Sequence, residues 1–127
     1  GCDVRYAEAG ATLGLNFTTL DVLPGLGSTH HLPQLLGAGK ALELILSGAK
    51  LSAEEACAIG LVQRVCPAGE VYAQARSLAQ AMARVRPEVL AAAKKALRAG
   101  ATSSLEAAIA LEKSLSRELA NLRAVKA

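Results

Sequence analysis

Most residues with the types and spacing that chemistry needs fall between Gly14 and Leu32. There an extended run leads into Leu23-Pro-Gly-Leu-Gly-Ser-Thr and then into the start of a helix, where backbone N–H groups and the helix dipole could receive an anion or a polarised carbonyl. The segment is not a phosphate loop, because the Lys-Ser/Thr that closes one is missing. His30 and His31 are the only imidazoles, so a general base titrating near neutral pH would be one of them. Flanked by Thr29 and Leu32, they read more simply as first-turn helix residues, one turned outward. Among the carboxylates, Glu54 and Glu55 suit a helix cap, Glu43 a helix face, and Glu106, Glu112 and Glu118 a solvated face. Asp21, between the strand and the glycine loop, is the one that could face a cleft, with stabilisation of a turn as its commoner role. Cys2, Cys57 and Cys66 have no metal-like spacing and the two histidines are adjacent, so zinc geometry is not available within the chain. Cys57 and Cys66 read as small buried hydrophobes. No nucleophile–base pair can be assembled from these residues.

The elements that must position this segment are short at first and long later. Residues 4–7 and 11–15 are strand-like runs separated by Glu8-Ala9-Gly10, a turn composition. Ser28 and Thr29 suit the cap of a helix starting near Thr29. After the interruption at Gly37 and Gly39, a helical pattern resumes from Lys40 to Leu46, and Gly48 stops it. Ser52-Ala-Glu-Glu is a capping-box signature opening a short helix that Gly60 ends, and residues 61–66 alternate as one more strand. Beyond Pro67 only helix is expected. Val71, Ala75, Leu78, Met82 and Val85 form one apolar stripe. Pro87 opens a helix to Gly100 with Leu90, Ala93 and Leu97 on one side, and Ser103-Ser-Leu-Glu offers a second capping box. Ala108, Leu111, Leu115, Leu119 and Leu122 stripe the last helix. Such faces need a partner, either one another or a second subunit.

Composition narrows the class. The chain has 127 residues, 52% of them hydrophobic and 20% charged, with no Trp, one Phe and two Tyr. Its 27 alanines pack helices closely and bury little area apiece, so a large aromatic core is excluded and a helix-dominated fold of about one domain is expected. The net charge of +3 is spread among acids, and aromatic residues for stacking on bases are scarce, so no nucleic-acid partner is expected. No apolar stretch approaches the roughly 18 residues of a membrane span, and no basic-then-apolar leader stands at the start. Unpaired cysteines fit a reducing, cytoplasmic setting.

The order of motifs resembles the crotonase, or enoyl-CoA hydratase/isomerase, family. It is carried by Gly1-Cys-Asp-Val-Arg-Tyr-Ala, Ala11-Thr-Leu-Gly-Leu-Asn, Leu23-Pro-Gly-Leu-Gly-Ser-Thr-His-His-Leu-Pro-Gln-Leu-Leu-Gly, and Leu46 through Pro67, in one collinear series. The resemblance implies an α/β fold, a spiral of ββα turns followed by helices that build trimers and hexamers, with a site for acyl-CoA thioesters. Such enzymes hold the thioester oxygen between two backbone N–H groups, and the hydratases use two glutamates to activate water and deliver a proton. Coenzyme A then enters as part of the substrate, and no separate cofactor is implied.

Measured against that pattern, the chain is expected to be the carboxy-terminal half of a family member, with residues 1–67 the last part of the spiral core and residues 68–127 a helical oligomerisation region. The family's first glutamate and both oxyanion donors would lie before Gly1. The second hydratase glutamate falls at Phe17, whose ring can neither accept a proton nor orient water. Gly25 stands where dienoyl-CoA isomerases and chlorobenzoyl-CoA dehalogenases carry an aspartate. The resemblance leaves Asn16, Phe17, Asp21, Pro24, Gly25, Leu26 and Gly27 as candidate pocket residues, with Phe17 either a dry pocket wall or plain core. It implies an acyl-CoA enzyme for which two-glutamate hydration is not expected. A glutamate-independent member such as a decarboxylase, or a non-catalytic acyl-CoA-binding or assembly subunit, is the alternative. The strand at residues 4–7 is expected to expose an unpaired edge unless the missing half or another chain covers it.

Overall fold

A computed structural model describes residues 2–124; Gly1, the head of the Gly-Cys-Asp motif, and residues 125–127, the end of the expected helical region, lie outside the described residues. The elements run β1 (Tyr6–Glu8), β2 (Thr12–Gly14), a 3-10 turn (Thr18–Leu20), α1 (Ser28–Leu36), α2 (Ala38–Ser47), β3 (Lys50–Ser52), α3 (Ala53–Ala58), β4 (Arg64–Cys66), α4 (Val71–Met82), α5 (Pro87–Gly100) and α6 (Leu105–Ala124). Two strand pairs form: β1 with β4, parallel, Ala7 facing Val65, and β2 with β3, antiparallel, Leu13 facing Leu51. Contacts divide the chain into a unit up to Arg76 and a second from Ser77.

In the first unit, Gly10 at φ +84 turns β1 into β2, with the Ala11 N–H donating to the Glu8 carbonyl. One apolar cluster joins Ala7, Ala53, Ala56 and Val62, and small side chains there let α3 lie close against the strands. A second joins Leu32, Ala41 and Ile45 between α1 and α2. Ser52 and Glu55 form the anticipated capping box: the Glu55 N–H donates to Ser52 Oγ (3.1 Å) and the Ser52 N–H to Glu55 Oε2 (2.8 Å).

One sequence expectation for this unit is refined and another is corrected. β4 lies along one edge of the strand near residues 4–7, and no strand among the described residues pairs with its other edge, which stays open as expected. The Gln63 N–H donates to the Arg5 carbonyl, the Arg5 N–H to Gln63 Oε1, and the Arg64 guanidinium stands 5.2 Å from the Tyr6 ring centroid. The carboxylate of Glu8 also accepts from the Gly69 N–H, tying the end of β1 to the loop after β4. The correction concerns α1, whose cap is Gly27 at φ +74 with no side-chain bond; the Ser28 hydroxyl donates backwards to the Gly25 carbonyl instead.

In the second unit α5 packs on α6. Pro87 takes the first helical position, where its missing N–H costs nothing. Along α6, Leu115 is buried with Ala108, Leu111 and Leu119 half-buried in line, as the stripe requires, whereas Leu122 is exposed. The capping residue is Ser104 and not Ser103: Ser104 Oγ accepts from the Ala107 N–H at 3.3 Å, because the bend after α5 consumes Ser103. The packed face of α5 also differs from the expected one. Ala92, Ala96 and Ala99 are half-buried, while Ala93 is exposed and Leu97 is 76% exposed, since alanine allows the closer helix approach. On α4, Val71 and Leu78 are half-buried and Met82 is exposed.

Candidate functional site

The segment from Leu15 to Leu32 is shaped by hydrogen bonds that its own sequence supplies. After β2, the Phe17 carbonyl accepts from the N–H groups of both Leu20 (3.0 Å) and Val22 (3.1 Å), which folds residues 17–22 into a tight turn. Thr18 and Thr19 secure it: the Thr18 hydroxyl donates to the Ile45 carbonyl at 2.6 Å and the Thr19 hydroxyl to the Asn16 carbonyl at 2.8 Å. The turn closes with Asp21 in the left-handed region at φ +54, which Asp tolerates better than most residues.

Five residues on, Leu26 adopts φ +56 with its side chain fully exposed, an uncommon conformation for a bulky residue. Gly27 follows at φ +74, and its carbonyl accepts from the N–H groups of His30 (3.1 Å) and His31 (2.9 Å). A Cβ on Gly27 would stand 3.3 Å from the His31 ring, so glycine gives both the backbone sign and the room for that ring.

A cavity of about 300 Å³ opens beside this segment. Leu15, Leu32 and Leu44 are among its apolar walls, and Arg5, Ser28 and His31 are its polar ones. Its size and mostly apolar lining suit a small organic group. The Arg5 guanidinium is held there, Nε donating to the Leu61 carbonyl at 2.6 Å and Nη1 to the Cys2 carbonyl at 2.8 Å, so a fixed cation borders apolar wall.

Of the sequence-derived candidates, Leu26 lines this cavity. Phe17 is half-buried and Asn16 exposed on the turn outside its walls; Pro24 and Gly25 are half-buried on the loop, and Asp21 and Gly27 are exposed. Both histidines are exposed. His30 Nε2 lies 3.2 Å from the Gln34 side-chain nitrogen, and the two imidazoles meet edge to face at 5.2 Å, so neither ring is shown paired with a carboxylate. Cys66 is buried and its thiol donates to Gln74 Oε1 at 3.4 Å, in keeping with a packing role. Among the described residues, no group of three His, Cys, Asp or Glu side chains is placed to hold a metal ion, and no helix is long and apolar enough to cross a membrane. Sequence reasoning missed Arg5: it reaches the cavity through a contact 56 positions along the chain, for which no local signal exists.

The geometry has clear counterparts. The sequence profile of the enoyl-CoA hydratase/isomerase family matches residues 1–127. The chain is 40% identical over 114 residues to the 2,3-dehydroadipyl-CoA hydratase of Escherichia coli, covering 90% of this chain and 45% of that protein. It is 36% identical over 114 residues to the short-chain-enoyl-CoA hydratase of Clostridioides difficile, covering 90% and 74%. The crystal structure of an enoyl-CoA hydratase from Bacillus anthracis superimposes with a TM-score of 0.86 at 37% identity, over 98% of this chain and 51% of that one. The chain thus spans about half the length of the E. coli and B. anthracis proteins. With the profile matched from end to end and the backbone shared at this identity, the chain belongs to the enoyl-CoA hydratase/isomerase, or crotonase, family.

Proposed function

We propose that the chain is the carboxy-terminal part of an acyl-CoA-processing enzyme, of the isomerase or lyase type, in which ordinary two-glutamate hydration does not operate. Membership in the family supports the acyl-CoA thioester as substrate, and the relatives named above are hydratases of such thioesters by name. The observation that carries the finer reading is Phe17. It sits on the turn after β2, at the position where the resemblance puts the hydratases' second glutamate, and a phenyl ring has no proton to exchange and no lone pair to hold water. What remains is chemistry driven by an oxyanion hole, with the donors contributed by the rest of the enzyme, as in the family's decarboxylases. Asn16 and Asp21, exposed before and after Phe17 on the same segment, are the polar groups offered for substrate contact, since the hydroxyls of the nearer Thr18 and Thr19 are engaged by backbone carbonyls, and Pro24 to Gly27 form the loop that leads into α1. In this reading residues 1–67 complete the spiral core, residues 68–127 drive assembly into trimers or hexamers in the cytoplasm, and coenzyme A is the substrate's own handle.

The exposed apolar side chains of the helices favour one further reading. Tyr72 on α4, Leu97 on α5 and Leu105 on α6 are each more than 70% exposed, which suits an assembly subunit that binds acyl-CoA without acting on it. Incubating the purified complete protein with a 2-enoyl-CoA, a 3-enoyl-CoA and a malonyl-type thioester, with products read by mass spectrometry, separates the readings. Double-bond migration or loss of carbon dioxide supports the proposed enzyme, addition of water contradicts the role given to Phe17, and binding without turnover supports the assembly subunit.

A further inference from the structure

The turn that carries Phe17 is fastened to α2 by two features that are 27 or more residues away in sequence. A helix ends with carbonyls that have no intrahelical donor. Ile45 lies in the last turn of α2, and its carbonyl receives the Thr18 hydroxyl at 2.6 Å, in a partly buried setting. Next to it, Gly48 at φ +63 ends the helix, and a Cβ there would stand 2.5 Å from the Thr19 methyl, a separation that real Cβ atoms do not reach. Thr18 therefore satisfies an otherwise open helix end, and Thr19 occupies the space that only glycine leaves.

We infer that Thr18 is a positioning residue for Phe17: its bond to the end of α2 fixes where the aromatic ring stands, and so fixes the shape of the acyl site on that side. The functional half of this statement rests on the acyl-CoA reading above; the positional half does not. A threonine hydroxyl can fasten a turn in this way, whereas valine keeps its shape without the donor.

Phe17 is the chain's single phenylalanine, so incorporation of 4-fluorophenylalanine gives one fluorine NMR resonance for the full chain. The resonance is expected to shift or broaden in Thr18→Val and to return to the original position in Thr18→Ser, with circular dichroism unchanged in both. Gly48→Ala is expected to move it as well, by displacing Thr19. In the complete protein, where loss of the signal in Phe17→Leu assigns the Phe17 resonance, titration with butyryl-CoA is expected to move that resonance, with weaker binding in Thr18→Val. An unchanged resonance in a folded Thr18→Val overturns the positioning role, whatever the titration shows. A Phe17 resonance that responds to Thr18→Val but, in the complete protein, not to butyryl-CoA overturns the acyl-CoA reading and leaves the positioning role standing.

Discussion

The proposed role of Phe17 asks that a side chain differ from the family pattern without disturbing the backbone. The turn from residue 17 to residue 22 is closed by the Phe17 carbonyl and held by two threonine hydroxyls, none of which depends on the side chain at position 17. Chemistry can therefore change there while the fold stays. Leu26 is a different case: its φ of +56 costs a bulky residue energy, and its fully exposed side chain gains nothing from packing in the described structure. Replacing it with Asn, which tolerates the left-handed region, should raise stability by about 0.5–1 kcal/mol in a urea titration; a loss of stability would show that the Leu26 side chain is buried in the assembled protein. Gly27→Ala should act in the opposite direction, lowering stability by about 1 kcal/mol or more, because it meets both the positive φ and the His31 ring. The sequence made these positions visible as a glycine loop with candidate residues, but it assigned the cap of α1 to hydroxyl side chains. Ser28 has a nearer acceptor in the Gly25 carbonyl, and a positive φ at Gly27 turns the chain before any hydroxyl is needed.

Elements fixed by neighbours three or four residues away could be read from the sequence, and those fixed from afar could not. The capping box of α3 is local, so Ser52 and Glu55 announce it. Ser52→Ala should cost about 1 kcal/mol by thermal or denaturant unfolding. Hydrogen bonds from the Ser52 backbone and side chain hold the Glu55 carboxyl below its ordinary 4.5. A depressed folded value means that this contribution is present above the unfolded pKa and fades as pH falls through the folded one. The Glu55 carboxyl carbon should accordingly titrate at a lower pH in the folded chain than in urea, and an equal or higher midpoint would mean that the box does not form in solution. By contrast, β1 finds β4 some 58 positions later, through Arg5, Gln63 and Cys66, and no periodicity in residues 4–7 hints at it. The cavity is likewise assembled from segments between Arg5 and Val62, so its walls were not legible one element at a time. On α5, alanines that look neutral in sequence make the packed face, because their size decides how near α6 can approach.

Taken as a whole molecule, the chain pairs a small alanine-rich core with helices whose large apolar side chains remain exposed. Isolated exposed leucines are ordinary; under the proposed assembly role, Leu97, Leu105 and Tyr72 on three successive helices are the side chains that a second subunit would cover. Light scattering behind size exclusion should find the complete protein as an oligomer, and Leu97→Asp should shift it towards smaller species; a monomer unaffected by the substitution would remove the assembly role. Under the proposed function the scarcity of aromatic residues gains meaning at this scale, since that reading puts the single phenylalanine where hydration would call for a carboxylate. The most direct test is the rate at which the complete protein adds water to a short 2-enoyl-CoA, compared with the same protein carrying Phe17→Glu. With the other half of the site in place, restoring the carboxylate should raise hydration on the order of 100-fold or more, the usual worth of a positioned acid–base group. Hydration by the unsubstituted protein as fast as by Phe17→Glu, at rates typical of an enzyme, would contradict the role assigned to Phe17.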